Sequence, residues 1–198
     1  MNTYDFTFAG QRLVARPSGA LHWPAAGLLC VSDLHLGKSA RQARRNGVQL
    51  PPYDVEDTLA RLEAEVEATA AATVICLGDS FDDLQAFDAL PLTALDWITR
   101  LQAGRRWIWI EGNHDPGPVA LAGDHLAQFR HLGLTFRHFA SDEDRGEISG
   151  HYHPKLRLRA GSRACFLVDE ARLILPAFGT YTGGLRSDDP ALDRLMAP

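Results

Sequence analysis

Apolar runs and their interruptions divide the chain into short elements. Thr3–Ala9 alternates polar and apolar positions, Gly10-Gln11 reads as a turn, and Arg12–Arg16 and Ala20–Trp23 follow as further short strands. Leu28–Ser32 (LLCVS) is a continuous apolar run bounded by Gly27 and a charged loop, the pattern of a strand buried on both faces. Past Pro51-Pro52, with Asp54 as a helix N-cap, Val55, Leu59, Leu62 and Val66 recur at helical spacing, while Glu56, Glu63, Glu65 and Glu67 fall off that stripe. This spacing predicts a helix over about residues 55–72, packed on a sheet by one face. Thr73–Leu77 (TVICL) and Arg106–Ile110 (RWIWI) repeat the buried-strand pattern, and Leu92–Ala103 carries Leu92, Leu95, Ile98 and Leu101 at helical spacing. Strand, helix, strand, helix, strand predicts a parallel sheet with right-handed crossovers.

The last third reads differently. Leu134–Arg137, Glu147–Ser149, Lys155–Arg159, Ala164–Val168 and Arg172–Leu175 are short segments with little room for helices, and they read as antiparallel strands. The expected fold class is α/β, a two-sheet α/β/β/α sandwich with helices outside. No repeat, low-complexity tract or linker divides residues 1–198, so one domain is expected.

Composition narrows the function classes. With 45% apolar and 23% charged residues the chain is of ordinary globular type, which excludes a disordered, collagen-like or disulfide-scaffold protein. Twenty basic against twenty-five acidic residues give a net charge of −5, which argues against a general nucleic-acid coat protein but leaves room for a local basic patch. The longest stretch without a charged residue, Pro17–Ser32, is broken by Pro and Gly and is too short to span a bilayer. No basic region precedes an apolar core at the N-terminus, and Cys30, Cys76 and Cys165 form no CxxC pair, so reduced thiols in a cytoplasmic protein are expected.

Polar residues gather where the buried strands stop. LLCVS is followed by Asp33-Leu34-His35, TVICL by Gly78-Asp79, RWIWI by Glu111-Gly112-Asn113-His114-Asp115, and a later strand by Gly150-His151-Tyr152-His153. Ligands of open α/β sheets bind at these carboxyl ends. If the chain stays extended, the i, i+2 spacing of Asp33 and His35, and of His151 and His153, projects both side chains of each pair to one side. Gly78 permits a tight turn before Asp79. Donors of Asp, Asn and His type suit Mn, Zn or Fe, and the absence of Cys from these motifs argues against a structural zinc site.

The ordered set D-x-H, G-D, G-N-H-D and G-H-x-H resembles the calcineurin-like metallophosphoesterases. The stretches ALHWP, DLHLGK with the basic run Arg41–Arg45, GHYHPKLRL and LPAFGTYTGG are similar to the ligase-associated DNA damage response endonuclease (PdeM) family. The resemblance implies that Asp33, His35 and His153 hold one divalent metal, that Asp79 bridges to a second, and that Asn113, His151 and one further His hold the second. That His is assigned to His138, which follows the strand Leu134–Arg137; His131, which precedes the strand, is the alternative. His114 would contact the phosphate and protonate the leaving oxygen. Asp82, three residues after Asp79, where the subfamily often has a His nearby, either orients His114 or caps the following helix. Two cations about 3.5–4 Å apart would serve in-line phosphoryl displacement. Two carboxylates do not neutralise them, so the pocket stays positive.

Two basic clusters adjoin the motifs. Lys38, Arg41, Arg44 and Arg45 follow the first, with Lys38, Arg41 and Arg45 on one helical face; Lys155, Arg157 and Arg159 follow the last, on one face of a strand. Both are candidates to bind flanking phosphates of a polynucleotide. The acidic run Ser141-Asp142-Glu143-Asp144 pulls the other way. His22, His125 and His131 match no motif, Trp97, Trp107 and Trp109 read as packing, and Pro176–Gly179 with Gly183-Gly184 reads as a loop returning towards the site, with Tyr181 on it. The expected function is a dinuclear, manganese-dependent nuclease acting on DNA in repair, with an ATP-dependent DNA ligase and a helicase-like repair protein as partners implied by the family. The alternatives are hydrolysis of cyclic nucleotides or other small phosphodiesters, and a non-catalytic protein-binding module.

Overall fold

A computed structural model describes residues 3–141 and 145–196. Three antiparallel strands open it, β1 (Tyr4–Phe8), β2 (Gln11–Ala15) and β3 (Leu21–Trp23), and β3 pairs with β4 (Leu28–Val31). Two helices follow, α1 (Lys38–Asn46) and α2 (Asp54–Thr69), then β5 (Thr73–Leu77), α3 (Leu84–Asp88), α4 (Leu92–Gln102) and β6 (Arg106–Ile110). Next come β7 (Asp124–Leu126), β8 (Gln128–His131), β9 (Leu134–Arg137), β10 (Glu147–Ser149), β11 (Lys155–Leu158), β12 (Gly161–Ala164), β13 (Leu167–Val168), β14 (Arg172–Ile174) and α5 (Pro190–Asp193).

The first sheet runs β1-β2-β3-β4-β5-β6-β7 and is parallel from β4 to β7. Its central strands are buried on both faces, which is why they are apolar without alternation. Leu29, Val31, Val74 and Cys76 face α2 and α4, meeting Leu59, Leu62, Val66, Ile98 and Leu101. Leu28, Cys30, Ile75, Leu77, Ile108 and Ile110 face the second sheet, meeting Leu134, Phe136, Ile148, Leu173 and Leu175. The architecture is thus two packed sheets with helices on the outer face of the first. On the second sheet the C-terminal segment lies against β14, where Arg172 donates to the Leu195 carbonyl.

Several local expectations change. The second sheet, β13-β14-β10-β9-β8, is not wholly antiparallel: β10 runs parallel to both β9 and β14. Ala164–Val168 is not one strand, because β12 folds back on β11 as a hairpin and β13 joins the second sheet separately. Asp54 is not an N-cap; it is the first residue of α2, and its carboxylate accepts from the backbone and hydroxyl of Ser39. The helix stops at Thr69 because Ala70 turns left-handed (φ 48°). No helix among the described residues is long and apolar enough to cross a membrane.

Candidate metal centre

The motif residues converge at one edge of the sandwich, but not by the extended geometry their spacing suggests. Nine non-glycine residues among those described have positive φ, and five of them are Asp33 (53°), His35 (44°), Asp79 (46°), His151 (67°) and His153 (47°). Each costs roughly 1–2 kcal/mol in the left-handed region, so the surrounding contacts must enforce it. Those contacts are backbone hydrogen bonds. Asp33 N–H donates to Gly78 O (3.2 Å), His35 N–H to Asp79 O (2.9 Å) and Leu36 N–H to Ser80 O (2.9 Å), so the loops after β4 and β5 are zipped together. From the far end of the chain, Phe178 and Gly179 N–H donate to Ser32 O (2.8 Å) and Asp33 O (3.0 Å), which places the Pro176–Gly179 loop against the site.

Two glycines are required by close approach. A Cβ on Gly78 would stand 2.3 Å from His138 Nδ1, and one on Gly150 would stand 1.8 Å from Ser32 Oγ. Ser32 is fully buried; its hydroxyl donates to Asp33 Oδ2 (2.5 Å), which also accepts from His151 N–H (3.0 Å). Asp33 is thereby held with Oδ1 turned the other way, towards His153 Nε2 at 2.9 Å.

Three sets of donor atoms lie within 4.8 Å of one another among the described residues: Asp33, His35 and His153; His35, Asp79 and His114; and Asp79, His138 and His151. His35 and Asp79 each belong to two sets, so the sets are contiguous. Asp79 Oδ2 is 3.5 Å from His138 Nε2 and 3.9 Å from both His35 Nε2 and His114 Nε2. Asn113 Oδ1 lies 3.1 Å from His138 Nε2. His138 Nδ1 donates to Leu77 O (3.0 Å), which turns Nε2 towards Asn113 and Asp79. His131 is elsewhere, on β8 between Trp23 and Phe129.

These atoms fit divalent cations. Asp33 Oδ1, His35 Nε2, His151 Nδ1 and His153 Nε2 are buried without a directed hydrogen bond, although they converge. Buried polar atoms are normally satisfied, and a cation shared by converging lone pairs would satisfy them. The charge state fits as well. Burial disfavours the ionised forms of Asp33 and Asp79, yet His153 and His138 outweigh it and hold both carboxyls below their ordinary value. Burial lowers the pKa of His35 and His151, favouring the neutral form that ligates metal; for His138 burial acts the same way but the Asp79 and Asp33 carboxylates outweigh it and raise the pKa, so a cation at Nε2 would displace a proton there.

Two supporting residues had a sequence signal that spacing did not single out. Asp115 closes the GNHD motif: its Oδ2 accepts from Ser80 N–H (2.7 Å) and Phe81 N–H (3.2 Å), and its Oδ1 from Gly112 N–H (3.1 Å). It braces the Asp79 loop to the Asn113 loop. Ser32 closes the apolar run before Asp33.

The contacts of Asp82 match neither expectation for its carboxylate. That carboxylate is fully buried and reaches His35 Nδ1 (2.8 Å), Lys38 Nζ (3.3 Å) and Arg41 Nη1 (3.1 Å). It is the Asp82 backbone carbonyl that accepts from His114 Nδ1 (2.6 Å), and the cap of α3 is Asp83, which accepts from Ala86 N–H (2.6 Å). The reason is steric order: Asp82 lies under α1, whereas Asp83 opens α3. Arg44 and Arg45 pair with Asp83 at 3.1 and 3.3 Å. Lys155 Nζ donates to Thr182 O (2.8 Å). Asp142, Glu143 and Asp144 of the acidic run lie outside the described residues.

The sequence profile of the calcineurin-like phosphoesterases matches residues 27–167, which contain every motif residue. The chain belongs to that family. Comparison with curated proteins gives no match. Among solved structures, the crystal structure of Pseudomonas putida nuclease MPE is similar over 96% of this chain and 93% of that one, with a TM-score of 0.80 and 29% identity. This member of the family is therefore a metal-dependent phosphoesterase, and the reading as a non-catalytic binding module is set aside.

Proposed function

We propose that the protein is a dinuclear phosphodiesterase that cleaves DNA, with manganese as the working metal. The observation that carries the proposal is the contiguity of the three donor sets through His35 and Asp79. Asp33, His35 and His153 would hold one cation and Asn113, His138 and His151 the other, with Asp79 available to both. When bound, such a pair supplies Lewis acidity and water activation at neutral pH. The chain's own part is positioning and proton transfer. Ser32 and the His151 amide fix Asp33; Leu77 O fixes the tautomer of His138. The Asp82 carbonyl holds His114 Nδ1, so Nε2 points to Asp79 at the centre. His114 is a quarter exposed, unlike the buried ligands His35 and His138, and can reach a substrate oxygen. Protonated on both nitrogens, His114 would give its Nε2 proton to the leaving oxygen while Nδ1–H stays on the Asp82 carbonyl.

DNA as substrate is supported by the likeness to a nuclease over nearly the full length of both chains. The resemblance to the PdeM family supports a repair setting with an ATP-dependent DNA ligase and a helicase-like protein, in the cytoplasm. The test is reconstitution of chelator-treated protein with Mn, Zn or Fe. Single-stranded, nicked and tailed DNA, cyclic nucleotides and bis-p-nitrophenyl phosphate are then assayed. Manganese-supported DNA cleavage is expected. Good turnover of cyclic nucleotides with no DNA form cleaved would replace the nuclease by a small-phosphodiester hydrolase. His114→Ala is expected to bind metal normally and lose about 10²–10⁴ in turnover; loss of both metals would refute its assignment.

A further inference from the structure

The hairpin of β11 and β12 leaves the sandwich two residues after His153. The two strands form a two-stranded sheet of their own, joined to the rest of the chain at Lys155 by a single parallel bridge to Arg186. Beyond Lys155 every residue of both strands is exposed. From Ile148 to Val168 there is no Asp or Glu, yet Lys155, Arg157, Arg159 and Arg163 lie there, in a chain of net charge −5. The root is anchored. Lys155 Nζ donates to Thr182 O, Lys155 N–H to Leu185 O (2.8 Å), Ser187 N–H to Lys155 O (2.8 Å) and Cys165 N–H to Pro154 O (3.0 Å). The three arginines lie beyond this anchor. Arg163 donates to the neighbouring Ser162 carbonyl, and none of the three is within ion-pair distance of a carboxylate among the described residues. Asp188, whose carboxyl pKa is lowered by Arg186 first and more weakly by the Arg157 charge, accepts from Arg186 (2.8 Å).

A protruding ribbon with one sign of charge and a fixed root beside a phosphoester-cleaving centre is complementary to a polyanion. Arg157 lies on one face of the ribbon, Arg163 on the other face opposite Leu156, and Arg159 in the turn between the strands. From Lys155 to Arg159 the chain extends about 13 Å at about 3.3 Å per residue. A stacked strand carries one phosphate per 3.4 Å of rise, so this length covers roughly three or four phosphates. We propose that the 155–164 hairpin is an arm that grips the sugar-phosphate backbone of a nucleic acid on one side of the scissile bond, through Arg157, Arg159 and Arg163. The proposal rests on the nuclease reading and adds where the polymer lies.

The test is the salt dependence of binding to a labelled DNA oligonucleotide, in a His114→Ala background so that the strand stays intact. Adding R157A, R159A and R163A together is expected to weaken binding at least tenfold near 0.1 M salt. The plot of log K against log salt should become shallower by about 2–3, at about 0.7–0.9 per lost phosphate contact. The triple Arg→Lys variant should keep most of the slope, and the triple Ala variant with His114 intact should hydrolyse bis-p-nitrophenyl phosphate within about twofold of the parent. An unchanged slope in an enzyme that still cleaves DNA overturns the arm and leaves the nuclease reading standing. Equal loss in the Lys variant, or loss of bis-p-nitrophenyl phosphate turnover, overturns it too, by showing that the hairpin acts through the His153 loop. An enzyme that hydrolyses the small ester but neither binds nor cleaves DNA overturns both.

Discussion

Helix α1 and the β11–β12 hairpin carry the same kind of charge in similar density, each directly after a metal motif, yet the fold uses them differently. The four cations of α1 face two carboxylates. Lys38 and Arg41 meet Asp82, and Arg41, Arg44 and Arg45 meet Asp83. The hairpin arginines pair with no carboxylate among the described residues. A basic run in a sequence counts charges; only the folded partners decide how much of that charge faces outward. In α1 part of it is turned inward, to clamp the helix to the loop that orients a metal ligand. In the hairpin it is left for solvent or a ligand.

The sharpest break of this comparison is at Asp82. Its carboxylate is fully buried and joins His35 Nδ1 to Lys38 and Arg41. Asp82→Ala frees the His35 ring, takes the carboxylate from Lys38 and leaves Arg41 with Asp83 alone. Removing one partner of a buried pair typically costs about 3–5 kcal/mol, and losing the partner of a ligating His about 10–100-fold in metal affinity. Both effects are expected together, read by urea unfolding of the metal-free protein and by calorimetric metal titration. Normal metal affinity in a destabilised variant would confine Asp82 to holding α1.

A smaller and more selective effect is expected from acid. Burial alone would raise the Asp82 pKa, but the His35 contact and the Lys38 charge bring it down from 3.8 to about 2. The folded state therefore binds fewer protons than the unfolded state in that interval. The carboxylate's contribution is complete above about pH 4 and disappears as pH falls through about 2; a shift of nearly two pKa units corresponds to about 2.5 kcal/mol. Asp82→Asn does not titrate. Its stability deficit relative to the parent, measured by urea unfolding with chelator present, should be largest above about pH 4 and shrink as pH approaches 2. A deficit independent of pH would mean that the charge of Asp82 is not what binds α1.

The fold was readable where burial dictates sequence. β4, β5 and β6 are apolar throughout because both faces are covered, and α2 and α4 show stripes because one face is. β7 and β8 escaped because three- and four-residue strands with exposed positions leave no periodic trace, and α1, polar almost all round, left only the helical spacing of its basic residues to read. The parallel setting of β10 depends on which distant segment flanks it, which local pattern does not encode. At the site, the residues at strand ends were readable but their geometry was not. The i, i+2 pairs meet because Asp33, His35, His151 and His153 are held left-handed by segments as remote as Phe178 and Gly179. The carboxylate partners of α1 were equally out of reach, since Asp82 and Asp83 lie some forty residues further along the chain.

The smallest expected effect is at the outer end of α1, and it sets the scale for the hairpin. The side chains of Arg44 and Arg45 are 36% and 57% exposed and share Asp83, which Arg41 also approaches at 3.6 Å. Exposed pairs contribute about 0.2–1 kcal/mol, so the double variant R44A with R45A should unfold within about 1 kcal/mol of the parent. Asp83 keeps its hydrogen bond from Ala86 N–H, so α3 keeps its cap. Part of the charge removed was already offset by Asp83, so the slope of log K against log salt for DNA should change by about 1 or less, against about 2–3 for the hairpin triple. If the double variant instead flattens the slope as much as the hairpin triple does, α1 is an equal phosphate contact and the distinction between the two basic regions fails. Arg44 and Arg45 then reach past Asp83 to the strand, and the polymer runs along both sides of the metal centre.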